Sequence, residues 1–182
     1  MRLAFPQNRI TTLAQAYCDE NEEHSQCEQR FQELGDSLKR LKNPLIEKPE
    51  LFRIARWKSP RSAGCVDRNC DEFVREVTLV ALSTPCERLR IESLTLLDGV
   101  SWPTASVILH FFHRDPYPIL DYRALESLGE PEPNEYDFKF WLRYVETCRR
   151  LSQQARVDMR TLDRALWQYS WQNSKRNPSV RR

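Results

Sequence analysis

A chain of 182 residues with a net charge of +2 is long enough for one hydrophobic core and short for two full domains. Glycine is scarce, charged residues make up 30 % of the chain, and apolar residues recur at intervals of three and four, so the expected fold is all-α. No apolar run reaches the length of a bilayer span and the N-terminus lacks a long apolar stretch, so no membrane partner is expected and the expected location is the cytoplasm.

Ile10, Leu13, Ala14 and Tyr17 mark a first short helix; Cys27, Phe31, Leu34, Leu38 and Leu41 mark a second with a charged outer face. The prolines of "NPLIEKPE" break that pattern, because each disfavours helix in the residue before it. A boundary therefore falls near residue 48. Residues 1–48 form a helical segment that packs on or extends the core, 49–173 form the core, and 174–182 form a basic, disordered tail. Within the core, "PELFRIARWKS" and "DEFVREVTLVALS" read as helices, and "CERLRIESLTLL" as a third running up to Asp98-Gly99. "PTASVILHFFH" is next, then the short "YRALESLG", which Gly129 ends from the position after its cap. "EPEPNE" is a loop, residues 138–155 a long amphipathic helix, and "DMRTLDRALWQYSWQ" the last.

Six cysteines (Cys18, Cys27, Cys65, Cys70, Cys86 and Cys148) in a helical chain without a signal are expected to stay reduced. The spacing of Cys65 and Cys70, unmatched elsewhere, does not make a zinc site, nor do His110 and His113 without a third ligand. Charge is uneven: residues 1–50 hold seven Lys/Arg against nine Asp/Glu, a net of −2, and residues 156–182 hold seven against two, a net of +5. That end of the chain suits an acidic partner, nucleic acid being the commonest. Arg160 and Arg164, one turn apart on the last helix, are candidate phosphate contacts, although Asp163 beside them could pair with one. Trp141, Trp167 and Trp171 fall at helical spacing with other apolar residues and read as core.

The informative stretch is "LLDGVSWPTASVIL" followed by "YPILDYRAL". Two apolar helices joined by a four-residue "DGVS" turn need left-handed backbone, which Gly99 supplies, and a small cap, which Ser101 can supply. The N–H groups at the second helix's N-terminus can then receive a phosphate without any lysine. The same turn also serves an ordinary αα-hairpin.

This stretch resembles the helix-hairpin-helix DNA glycosylase superfamily, the group of endonuclease III and the adenine-specific mismatch glycosylase. In that family an L-P-G-V-G-x-x-T-A-x-x-h-L hairpin precedes, at fixed distance, the catalytic aspartate in a P-h-h-D context. The match runs through the hairpin without a gap and reaches Asp121; it extends loosely over residues 50–172. The resemblance implies that Gly99, Val100, Ser101, Trp102 and Thr104 grip the DNA backbone. It also implies that Trp57 and Lys58 line the base pocket and that Arg61 is the wedge.

Three departures shape the expectation. Ser101 replaces the second glycine, and Trp102 and Pro103 replace polar or basic residues, Pro103 without an N–H. Pro103 also stands where family members with lyase activity carry lysine, so Schiff-base strand cleavage is not expected. Beyond Cys86 only Cys148 remains, so neither an iron–sulfur cluster nor any other cofactor or metal is expected. The implied protein is a monomeric, monofunctional glycosylase acting on double-stranded DNA. It would flip out a damaged or modified base and hydrolyse its N-glycosidic bond, with Asp121 stabilising the positive sugar and orienting water. Asp121 also reads as the N-cap of "YRALESLG", a role that would hold the carboxylate in place. Base excision repair and defence against phage DNA with modified bases both fit. The alternative is a non-catalytic helix-hairpin-helix DNA-binding module.

Overall fold

The computed structural model describes residues 1–176. Its regular structure is helical throughout those residues: α1 (Ile10–Glu20), α2 (Glu22–Leu38), α3 (Lys48–Lys58), α4 (Asp71–Ser83), α5 (Glu87–Leu94), α6 (Trp102–Phe112), α7 (Tyr122–Ser127), α8 (Phe138–Ala155) and α9 (Met159–Arg176). Short 3-10 segments lie at Gln7–Arg9 and Ala63–Arg68. No helix among the described residues is long and apolar enough to cross a membrane. The expected tail begins inside α9, which continues to Arg176; its remainder, 177–182, lies outside the described residues.

The chain divides into two units, and the division is not at residue 48. Glu23–Tyr117 form one unit; Met1–Glu22 and the chain from Pro118 onward form the other. The first 48 residues are therefore shared between the units, because α1 packs against α9, while Phe31 and Gly35 of α2 meet Phe111 of α6.

In the first unit, α3, α4, α5 and α6 pack in neighbouring pairs around fully buried Leu51, Ile54, Ile91, Leu94 and Ile108. Phe31, Trp57 and Phe111 form an aromatic cluster with ring centroids 5.5 to 6.2 Å apart, a spacing suited to edge-on contact. Gly35 fixes how closely α2 lies on α6: a Cβ there would sit 2.1 Å from the Phe111 carbonyl oxygen. Glycine costs a helix interior about 1 kcal/mol against alanine, and here it allows a backbone approach that no side chain permits. Beneath α5, buried Arg90 donates to the Tyr117 hydroxyl at 2.7 Å and to the Thr84 carbonyl. Tyr117 in turn donates to Glu87 at 2.8 Å, so the charge is paired and its partners are fixed.

In the second unit, α1, α7 and α8 pack against α9. The extended N-terminus is tied down as well: Arg2 N–H donates to Leu128 O and Ala4 N–H to Ser127 O, both at 2.9 Å, and Phe5 meets Tyr169 with ring centroids 4.6 Å apart. α7 ends as its sequence implies. Gly129 has φ +62°, its N–H donates to Glu126 O, and Glu130 N–H reaches back to Leu125 O, the double closure that left-handed glycine permits.

Candidate functional site

The hairpin is built more tightly than a four-residue turn. α5 ends at Leu94 rather than Leu97, and Thr95, Leu96, Leu97 and Val100 donate to carbonyls three residues back, so the connection descends in narrow turns before reversing. Gly99 has φ +84°, the left-handed conformation expected of it. A Cβ on Gly99 would lie 3.0 Å from Ser62 O and Val66 N, so the turn sits directly on the segment that follows Arg61.

The residue that holds this turn is Asn69, which no sequence pattern singles out. Its amide donates to Val66 O and Asp98 O, each at 3.0 Å, and its oxygen accepts from Asp98 N–H at 3.0 Å. A buried amide meeting both backbone groups of one residue fixes the peptide units on either side of it. An asparagine before a helix is a common turn residue, and only its separation from Asp98 in sequence hides this role.

The five hairpin residues divide by exposure. Ser101 is exposed and Gly99 and Trp102 are half-buried, whereas Val100 and Thr104 are buried. Thr104 is fully covered because α6 turns that face into the core, so its hydroxyl does not reach a phosphate. The cap is corrected. Ser101 occupies the N-cap position in extended conformation, but its hydroxyl makes no capping hydrogen bond, and Pro103 brings no N–H.

The expected pocket residues are spread along α3 and the turn after it. Trp57 is half-buried and packs in the aromatic cluster, with its indole N–H buried and without an acceptor. Lys58 is half-buried at the end of α3, and Arg61 is exposed on the turn leading to Ser62. On α6, His110 Nδ1 lies 2.6 Å from Tyr117 O. His113 Nδ1 accepts from Asp115 N–H at 3.0 Å, and burial together with Arg90 pushes its pKa down to about 4. The 3.9 Å approach of the Asp115 carboxylate is thus no ion pair near neutral pH, since the ring is neutral. The His110 ring meets Phe111 and the His113 ring meets Tyr117, with centroids 4.8 and 5.1 Å apart.

Asp121 is built separately, in the second unit. Pro118, Ile119 and Leu120 are buried in an extended run. Ile119 N–H donates to the buried Asp163 carboxylate at 3.0 Å, and Ile119 O accepts from the Tyr144 hydroxyl at 2.7 Å. Burial raises the pKa of Tyr144 well above the usual tyrosine range, so the donor stays protonated. Asp121 then stands at the N-cap of α7, half-buried, with Oδ1 accepting from Arg123 N–H at 2.9 Å. Its position is set by hydrogen bonds on both sides, to groups of α8 and α9 before it and of α7 after it.

Around it, Arg123 lies over the rings of Trp167 and Trp171, its guanidinium carbon 5.3 and 4.9 Å from their centroids, in cation–π geometry. Trp141 is fully buried as expected; Trp167 and Trp171 are half-buried and stack on each other at 5.3 Å, so they are part core and part surface. Arg160 is not available as a phosphate contact. It pairs with Asp163 at 2.6 Å, and its side chain is 14 % exposed, because the same carboxylate that holds Ile119 also needs a counter-charge. Arg164 is half-buried over the Tyr17 ring.

No family model, curated protein or solved structure matches this chain.

Among the described residues no group of three or more His, Cys, Asp or Glu side chains is arranged to hold a metal ion. None of the six cysteines is in a disulfide. The chemistry available is a positioned carboxylate, Asp121, and, in the other unit, a hairpin whose turn is bonded to Asn69 and whose Ser101 is exposed.

Proposed function

We propose that this chain is a monofunctional DNA glycosylase of the helix-hairpin-helix kind. It acts on double-stranded DNA carrying a damaged or modified base and leaves an abasic site. The observation that carries this reading is the clamped segment ending in Asp121: Tyr144 and Asp163 hold Ile119 on both sides, and the Arg123 N–H holds the carboxylate. A fixed carboxylate favours a reaction that develops positive charge, because no reorientation is needed at the moment of reaction.

In this mechanism the C1′–N bond breaks with its electron pair leaving on the base, positive charge builds on the sugar opposite the Asp121 carboxylate, and a water oxygen bonds C1′ while its proton passes through Asp121 to the departing base. The hairpin turn at Gly99, resting on the Ser62–Val66 backbone, supports a backbone grip on the phosphates, with Arg61 exposed beside it as the wedge. Pro103, in the place of the lyase lysine, supplies no amine, so strand breaks should require added alkali. Repair and defence against modified phage DNA would share this chemistry and differ in the base removed.

One observation favours the rival, a binding module without chemistry. Capping of α7 accounts for Asp121 without any reaction. Against it, DNA binding gains nothing from a carboxylate near phosphates.

The test is to treat duplexes and phage DNAs bearing normal, damaged and modified bases, then read breaks with and without mild alkali. Alkali-dependent breaks are expected from the wild type. Asp121→Asn, which keeps an oxygen acceptor for the cap, should lose them by at least about a hundredfold, the usual cost of removing a preorganised electrostatic group. DNA binding without release of any base by the wild type would favour the binding module.

A further inference from the structure

Two residues past Asp121 stands an arginine that no carboxylate pairs. Arg160 is bound to Asp163, whereas Arg123 forms no ion pair with an acidic side chain among the described residues. Neutral groups hold its guanidinium instead. The Tyr122, Trp167 and Trp171 ring centroids lie 5.0, 5.3 and 4.9 Å from its central carbon, and Nη1 makes long contacts of 3.4 and 3.3 Å with the Ser170 and Ser174 hydroxyls. Ser170 donates its own proton to Glu126 and Ser174 to Ser170 O at 3.0 Å, so both hydroxyl oxygens accept from the arginine.

The other two nitrogens, Nε and Nη2, have no partner among the described residues, and neither is buried. They share one edge of the guanidinium plane, where two parallel N–H bonds match two oxygens of a phosphate. The rings fix the faces of that plane and the serines take Nη1. The two-donor edge is thereby set in place and left open to solvent, beside a Tyr122 ring that is itself 46 % exposed.

We infer, resting on the glycosylase reading for the nature of the strand, that Arg123 receives a DNA phosphate next to the target sugar, Nε and Nη2 each donating to one of its two free oxygens. A carboxylate close enough to a deoxyribose to stabilise its positive charge is also close to the phosphates on either side of it. That repulsion is offset by a cation held beside the carboxylate, and Arg123 is joined to Asp121 through its own backbone N–H. Glu126 opposes the phosphate only weakly, because it is exposed and screened by salt. The contact adds a charge to the binding of the strand and sets the distance between sugar and carboxylate.

The experiment measures duplex binding by the full chain as salt rises from about 50 to 200 mM, together with the Arg123 Nε–H resonance. In the wild type that resonance is expected to move when duplex is added. Arg123→Gln should weaken binding about tenfold at the lowest salt and reduce the slope of log affinity against log salt by about one, the share of a single phosphate contact. Arg123→Lys keeps a charge without the two-donor edge, so it should restore the slope but not the full affinity. Lost packing alone would leave the slope as it is, so an unchanged slope in Arg123→Gln would overturn the inference. So would a resonance that duplex leaves in place while the wild type binds it, or one that inorganic phosphate moves and duplex does not; both are read on the wild type, whether or not a variant folds. Base release by the wild type decides the glycosylase reading separately, and that reading can stand while this contact fails. Absence of any duplex binding would overturn both.

Discussion

At Gly99 the backbone takes φ +84°, and a Cβ would press on Ser62 O and Val66 N at 3.0 Å. Left-handed backbone costs an ordinary residue roughly 1–2 kcal/mol, and the contact atoms are backbone rather than a flexible side-chain end. Gly99→Ala is therefore expected to lower unfolding stability by about 1–3 kcal/mol, read as a lower denaturant midpoint. His113 belongs to the same scale. Its folded pKa is about 4 against an ordinary 6.5, from burial and then Arg90, only partly opposed by Asp115 and Glu87. The unfolded chain therefore binds the proton first as pH falls, so this stabilisation is complete above pH 6.5 and is lost progressively down to about pH 4. His113→Gln should flatten that decline; an equally steep one in urea melts between about pH 7 and pH 4 would assign the acid sensitivity to other groups.

Elements meet their partners through residues that look ordinary in the sequence. Asn69 links the 3-10 segment before α4 to the turn between α5 and α6, bonding Val66 O and both backbone groups of Asp98. Asn69→Ala leaves those groups without their partner in a part-buried place, at a cost of about 2 kcal/mol or more. If the Asp98–Gly99 turn grips DNA, the variant should also bind duplex more weakly while the total helix content read by circular dichroism is unchanged. Unchanged stability would mean that water replaces the amide there. Both candidate arginines of α9 lie over the Tyr17 ring, and Arg160 is in addition paired with Asp163 at 2.6 Å.

At the scale of the molecule, the N-terminal helix belongs with the C-terminal one. Tyr17 meets Trp167 edge-on at 5.3 Å, Gln168 donates to Glu20 at 2.9 Å, and the Tyr169 hydroxyl donates to Ala4 O at 3.0 Å. Removing residues 1–21 would bare this face of α9, and the loss is expected to rival the whole stability of an ordinary domain, roughly 5–15 kcal/mol. Limited proteolysis should then cut the truncated chain within residues 118–176 while the same region of the full chain resists. Equal resistance would show that α1 is peripheral.

The sequence by itself determined the helices, their proline breaks, left-handed Gly99 and Gly129, and the cap at Asp121, because each depends on residues within a few positions of itself. It did not determine the place of Gly35 against Phe111, of Asn69 on Asp98 or of Thr104 in the core, nor the division of the first 48 residues between two units. Those depend on partners distant in the chain, and helical periodicity states which face is apolar without stating which face it meets. Glycine in mid-helix, asparagine in a loop and arginine on an amphipathic helix each have several uses. Only tertiary packing, through a backbone approach that leaves no room for a Cβ, a residue bonded at both its N–H and its carbonyl and a buried counter-charge, selects among them.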